Sequence, residues 1–204
     1  HELRTPVTVI KGAVELLRKQ LNPAEASLQR PLCRIQRQVN NMENIIEALL
    51  WLSREEVSAD PHQRISVLPL VRDTIEENRQ LIADRSIDID LVAQGKPILN
   101  VPAPLFQIAL TNLIQNAVRY TSNGHITVYV RDDRVLVCDT GIGIDGSDVE
   151  NITQPYVRGI GSDGFGLGLS IVSRLCDRFG WQFEIESEVD RGTTAQLIFG
   201  PSGK

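Results

Sequence analysis

Cysteine is scarce: Cys33, Cys138 and Cys176 are three in number, far apart and without a CxxC pair. That excludes a disulfide framework and a cysteine-based zinc site, and it fits a reducing compartment. No apolar run approaches the roughly 18 residues of a membrane-spanning helix, and no signal peptide opens the chain. Basic residues show no excess, with 21 against 26 acidic for a net charge of −5, so no nucleic-acid partner is expected. Internal repeats and low-complexity stretches are missing too. An initiator methionine is also absent: the chain opens on one of its three histidines, His1, and reads as a fragment of a longer protein. What is present is the composition of a globular chain, with 204 residues, 42% hydrophobic and 23% charged. That length holds one ordinary domain or two small ones.

The first part carries a strict heptad. Leu3, Val7, Ile10, Val14, Leu17 and Leu21 alternate spacings of four and three, and after Asn22-Pro23 the same alternation runs through Leu28, Leu32, Ile35, Val39, Met42, Ile46 and Leu49. This is the seam of packed helices. The two runs predict an antiparallel helical hairpin, and a lone hairpin buries two full seams poorly, so a dimeric four-helix bundle is expected.

Ser58-Ala59-Asp60-Pro61 breaks this pattern and reads as a linker between residues 1–60 and 61–204. Beyond it, the pattern predicts helices over 67–83, 102–120 and 169–179. Strands are predicted over 87–92, 126–130, 134–138, 182–187 and 194–199. Helices and strands mix without a regular βαβ period, which implies an α+β two-layer sandwich with helices on one face of a mixed sheet.

Four motifs carry chemistry. In His1-Glu2-Leu3-Arg4-Thr5-Pro6, the heptad places His1 and Thr5 four residues apart, away from the apolar seam. Glu2 can accept from the imidazole Nδ1–H and leave Nε2 as a nucleophile. Pro6 lacks the N–H for the Glu2 carbonyl and is expected to kink the helix. Asn112 and Asn116 share a helix face just before Arg119-Tyr120, and amide oxygens suit Mg²⁺. Asp139-Thr140-Gly141-Ile142-Gly143 follows a strand, where a carboxylate can accept an exocyclic amine and glycines admit close backbone approach. Gly164, Gly166 and Gly168, with Leu167 between them, run into an amphipathic helix whose N-terminal N–H groups favour an anion. The stretch between Asp139 and Gly164 reads as a lid.

In this order the motifs resemble those of sensor histidine kinases of two-component systems: an H box, an N box (Asn112–Thr121), a G1 box and a G2 box, followed by Arg191-Gly192-Thr193-Thr194. The resemblance spans essentially the whole chain. It implies a dimerisation and histidine-phosphotransfer hairpin followed by a Bergerat-type ATP-binding sandwich. It further implies that His1 accepts the γ-phosphoryl group of ATP with Glu2 as acid/base partner, and that Thr5 positions a water for phosphatase action. Asn116 would bind Mg²⁺ with help from Asn112, Asp139 would hold adenine beside Gly141 and Gly143, and Gly164, Gly166, Leu167 and Gly168 would frame the phosphates with Arg119 and Tyr120 nearby. Thr194 would support the adenine pocket. The implied partners are a second copy of the chain and the receiver domain of a response regulator, with membrane contact only through upstream segments of an inner-membrane-anchored bacterial sensor.

Two departures stand out. The family's phenylalanine-flanked acidic box is Thr153-Gln154-Pro155-Tyr156-Val157-Arg158 here, and Arg119 replaces the usual lysine. ATPases of the gyrase, mismatch-repair and chaperone kind carry a glutamate where this chain has Asn112, which cannot act as a general base. A nucleotide-binding scaffold without kinase activity is the third reading.

Overall fold

Both heptad runs are helical in the computed structural model, which describes residues 4–20, 26–52, 64–82, 86–149 and 167–200. The runs form α1 (Arg4–Gln20) and α2 (Ala26–Leu52), inside the first of two compact units, His1–Glu55 and Glu56–Lys204. The seam divides by position. Val7, Val14 and Val39 are buried and Leu32 and Ile46 half-buried, whereas Ile10, Leu17, Leu28, Ile35, Met42 and Leu49 are exposed. The hairpin therefore uses one half of each seam to pair its own helices and leaves the other half as an apolar stripe at seven-residue spacing along α2. An ion pair from Lys11 Nζ to Glu43 Oε2 (2.7 Å) ties the two helices together. Pro6 stands in the first described turn of α1, and the Glu2 carbonyl that its expected kink concerns lies outside the described residues.

The second unit is a two-layer α+β sandwich. Its strands are β1 (Arg64–Ser66), β2 (Ile87–Ala93), β3 (Ile98–Asn100), β4 (Gly124–Val130), β5 (Arg134–Asp139), β6 (Gln182–Glu188) and β7 (Gly192–Ile198). Its helices are α3 (Val67–Leu81), α4 (Ala103–Tyr120), the single turn α5 (Gly146–Val149) and α6 (Gly168–Phe179). The main sheet runs β2-β4-β5-β7-β6, with β2 parallel to β4 and the remaining pairs antiparallel, and β1 and β3 form a separate ribbon. The ribbon and α5, too short to show a period, are additions to the elements read from sequence.

Alternation decides which sheet face meets the helices. Ile87, Ile89, Ile126, Val128, Val130, Val135, Val137, Ala195 and Leu197 are buried and share one face. Across this face α4 is central, with ten of its 18 residues buried, and it starts after Pro102, whose carbonyl accepts from Leu105 N–H (3.0 Å). α6 ends on Gly180 in the left-handed region (φ 67°). Phe106, Phe179, Trp181 and Phe199 close one end of the sandwich with ring centroids 5.2–6.2 Å apart. Cys176 is buried, which pushes its thiol up to about 12, so it is a packing residue. Among the described residues no helix is long and apolar enough to cross a membrane.

One polar core residue offers a stability test. Asn78 of α3 is buried; its Nδ2 donates to the Thr74 carbonyl (2.8 Å), and its Oδ1 meets no partner among the described residues. Leucine has the same branching and no orphaned acceptor, and removing a buried unsatisfied group is worth about 1–3 kcal/mol. Asn78→Leu is therefore expected to raise the Tm by roughly 3–6 °C in a thermal melt followed by circular dichroism. A lower Tm would show that Oδ1 holds a partner of its own.

Candidate functional site

The helix-facing side of the sheet changes character along the strands. One cross-strand row reads Val130, Val135, Leu197 and Phe183, and the next reads Val128, Val137, Ala195 and Ile185. The third row reads Ile126, Asp139, Thr193 and Ser187, so from β5 outward the core face turns polar at this end only. A polar row at the end of an apolar face is a place for a ligand rather than for core packing.

Asp139, the last residue of β5, is half-buried, and burial raises its carboxyl above the usual aspartate value. Backbone N–H groups of Gly141 (2.9 Å to Oδ1) and Thr193 oppose that shift by donating to the carboxylate. The ionised group is an acceptor with no proton to give. It is desolvated and, among the described residues, not ion-paired, which suits a carboxylate that meets a donor from a ligand.

The loop after Asp139 is held against the β6–β7 turn. Ile142 N–H donates to the Tyr120 carbonyl (3.1 Å), and Asp190 N–H donates to the Ile142 carbonyl (2.9 Å). Ile144 N–H reaches Ser187 Oγ (2.8 Å). Two glycines permit this approach. Gly143 has φ 66°, and a Cβ there would overlap the Glu188 carbonyl; Gly192 has φ 100°, and a Cβ there would overlap the Asp139 carbonyl. A side chain at Gly141 would strike the Tyr120 carbonyl and the Asp139 carboxylate.

The amide pair of α4 divides by role. Asn112 is buried: its Nδ2 donates to the Ile108 carbonyl (2.8 Å), and its Oδ1 would lie 2.6 Å from a Cβ on Gly168. It packs α4 on the start of α6, where Leu167 is the N-cap and its carbonyl accepts from Ile171 N–H and Ser170 Oγ. One turn on, Asn116 is half-buried; Tyr120 is half-buried and Arg119 exposed. Thr5 is exposed on α1 in the other unit. His1, Glu2, Gly164, Gly166 and the Thr153–Arg158 stretch lie outside the described residues.

One expected residue is corrected. Thr194 stands in register with Cys138 and Glu186, on the face away from the helices, because strand neighbours alternate sides. The place beside Asp139 belongs to Thr193. Thr193, inside the Arg191–Thr194 box, and Ser187 are not among the expected site residues, yet the inward phase of Ala195 and Leu197 carries back to residue 193.

Two adjoining acceptors at the polar row and a glycine-lined loop fit a purine amine. Among the described residues no group of three His, Cys, Asp or Glu could hold a metal ion. Magnesium needs no such group when one amide oxygen, water and substrate phosphates supply its ligands, so Asn116 is compatible with it.

Likeness to known proteins identifies the family. Residues 101–202 match the family described as Histidine kinase-, DNA gyrase B-, and HSP90-like ATPase, and residues 1–57 match the His Kinase A (phospho-acceptor) domain. The chain is 31% identical over 214 residues to the phosphate regulon sensor protein PhoR of Pseudomonas aeruginosa, covering 99% of this chain and 48% of that protein. It is 30% identical over 211 residues to the signal transduction histidine-protein kinase ArlS of Staphylococcus aureus, covering 98% and 47%. It thus spans about half the length of the curated relatives it matches. Among solved structures, full-length ShkA in complex with AMPPNP superposes with a TM-score of 0.69 at 21% identity, covering 100% of this chain and 45% of that one, a likeness of fold.

Proposed function

The chain belongs to the sensor histidine kinases of two-component systems, and on that premise we propose that it is an ATP-dependent kinase core that phosphorylates its own His1 and passes the phosphoryl group to an aspartate of a response-regulator receiver domain. Residues 1–60 act as the dimerisation and phosphotransfer hairpin and residues 61–204 as the catalytic ATP-binding domain. The observation that carries the reading is Asp139: a desolvated acceptor at a strand end, without an ion pair among the described residues, in a chain whose first 57 residues match a phospho-acceptor domain.

The adenine amine is held by Asp139, with Gly141 and Gly143 letting the ring approach the backbone. The segment from Gly164 to Gly168 frames the phosphates, and Asn112 packs against Gly168 at its end. Arg119 and Tyr120 flank the nucleotide at the end of α4. Asn116 would help hold a magnesium ion with the phosphates, and the ion would supply charge neutralisation there. Nε2 of His1 attacks the γ-phosphorus in line, the bond to the β-phosphate oxygen breaks, ADP leaves, and Glu2 holds the imidazole Nδ1–H. The same phosphoryl group then moves to the receiver carboxylate, and Thr5 positions water for its removal.

The exposed stripe of Leu28, Ile35, Met42 and Leu49 supports a second copy of the chain as the hairpin's partner, since four helices bury both seam halves. The core is the cytoplasmic portion of an inner-membrane-anchored bacterial sensor. A water-activating ATPase of the gyrase kind is disfavoured by Asn112, which is neutral and packed on Gly168.

Incubation with γ-labelled ATP tests this. One labelled phosphoryl group per active chain, stable in alkali and labile in acid as a phosphoramidate is, is the expected result. Steady release of inorganic phosphate from an unlabelled protein would overturn it in favour of an ATPase.

A further inference from the structure

The polar row contains a hydroxyl whose hydrogen bonds can be counted. Ser187 Oγ lies 3.0 Å from the Gly192 carbonyl, 2.8 Å from Ile144 N and 2.8 Å from Thr193 Oγ1. A serine hydroxyl has one proton and two lone pairs. The Gly192 carbonyl can only accept, so that contact is a hydrogen bond when the Ser187 proton points there, and the count that follows is for that arrangement. Ile144 N–H can only donate and takes one lone pair. The remaining lone pair faces Thr193 Oγ1, and that contact is a hydrogen bond only if Thr193 gives it a proton.

Thr193 is thereby left with lone pairs alone on its free side. In register beside it stands Asp139, an acceptor when ionised, already receiving Gly141 N–H on Oδ1. Directly opposed residues on neighbouring strands have Cβ atoms about 5 Å apart, so one ligand group can meet both. Two acceptors side by side suit an exocyclic amine with its two N–H groups. A keto oxygen in the same place would meet lone pairs on both sides.

We propose that the Ser187 hydroxyl is a positioning residue that fixes Thr193 as a hydrogen-bond acceptor and so sets the amino-over-keto preference at the 6-position of the bound purine. The assignment rests on reading the row as the purine site and deepens that reading. Without the Ser187 hydroxyl, Thr193 is free to turn its proton toward the ligand and donate to a keto oxygen. Ser187 also holds Ile144, so its loss loosens the loop after Asp139; Thr193→Val leaves the Ser187 hydroxyl on Ile144 N–H and reads the ratio without that effect.

Equilibrium binding of ATP and of inosine triphosphate, its 6-keto counterpart, to the whole chain with magnesium separates these effects. The wild type is expected to prefer ATP. Ser187→Ala is expected to narrow the ratio of the two Kd values about tenfold, Thr193→Val to narrow it likewise, and Ser187→Thr, which restores the hydroxyl, to keep the wild-type ratio. A wild type that prefers ATP, with Ser187→Ala and Thr193→Val holding the same ratio, overturns the Ser187 assignment and leaves the purine site standing. A wild type that binds both nucleotides equally overturns the assignment as well. One that binds neither overturns the reading of the site itself.

Discussion

His1→Gln is expected to abolish transfer of the γ-phosphoryl group to the chain while leaving the Kd for ATP unchanged. The imidazole Nε2 carries a lone pair in the ring plane that is available near neutral pH, and it is the nucleophile that the attack on phosphorus requires. Glutamine is similar in length and a good helix former, so the hairpin is not disturbed by propensity. Its amide nitrogen has its lone pair delocalised into the carbonyl and does not attack phosphorus. The nucleotide-binding groups, Asp139, Thr193 and the glycines around them, belong to the other compact unit, Glu56–Lys204, and do not depend on residue 1. Labelling from γ-labelled ATP and equilibrium binding of an unlabelled analogue, measured on the same preparation, read the two halves of the expectation. Labelling that persists in the variant would place the phospho-acceptor on another side chain.

The sequence shows the hairpin's seam but not how it is shared. Spacing makes Val7, Ile10, Val14 and Leu17 equivalent, yet Val7 and Val14 turn inward and Ile10 and Leu17 stay exposed. Which half a helix gives to its neighbour is set by how the two helices pack, and no single-helix period contains that. The same limit applies to Asn112 and Asn116. Their four-residue spacing puts them on one face of α4, but α4 lies between α3 and α6 with apolar residues buried around most of its circumference. One amide is therefore interior and the other half-exposed. In the sheet the information was present and passed over: alternation through Ala195 and Leu197 marks Thr193 as inward and Thr194 as outward. The parallel pairing of β2 with β4 is a tertiary choice. The period of two in Ile87, Ile89 and Leu91 identifies a strand and says nothing of its neighbour.

Replacing Asp139 by asparagine is expected to weaken ATP binding roughly 100-fold, the scale of a lost charge-assisted hydrogen bond together with a misplaced donor. Gly141 N–H holds Oδ1 in place, and Thr193 N–H also donates to the carboxylate. In the Asp139→Asn variant the carbonyl oxygen is expected to stay on the Gly141 N–H, which turns the amide NH₂ toward the ligand, donor against donor at an amine. Inosine triphosphate, with a keto oxygen there, is expected to lose much less. The effect on stability runs the other way. Burial lifts the Asp139 pKa above that of the unfolded chain, so the ionised carboxylate destabilises the fold at neutral pH, and that cost disappears as pH falls through the folded-state pKa. The Asp139→Asn variant is therefore expected to melt at or above the wild-type Tm at pH 7, with the difference shrinking in acid. Ligand binding needs the ionised form, so wild-type affinity for ATP should fall on acidification, beginning at a higher pH than an ordinary aspartate would give. The variant's residual affinity should be flat across that window. Titrations of ATP binding against pH, paired with thermal melts of both proteins, check each sign. A variant that binds ATP as tightly as the wild type, or one whose pH profile matches it, would remove Asp139 from the site and leave its burial without a function.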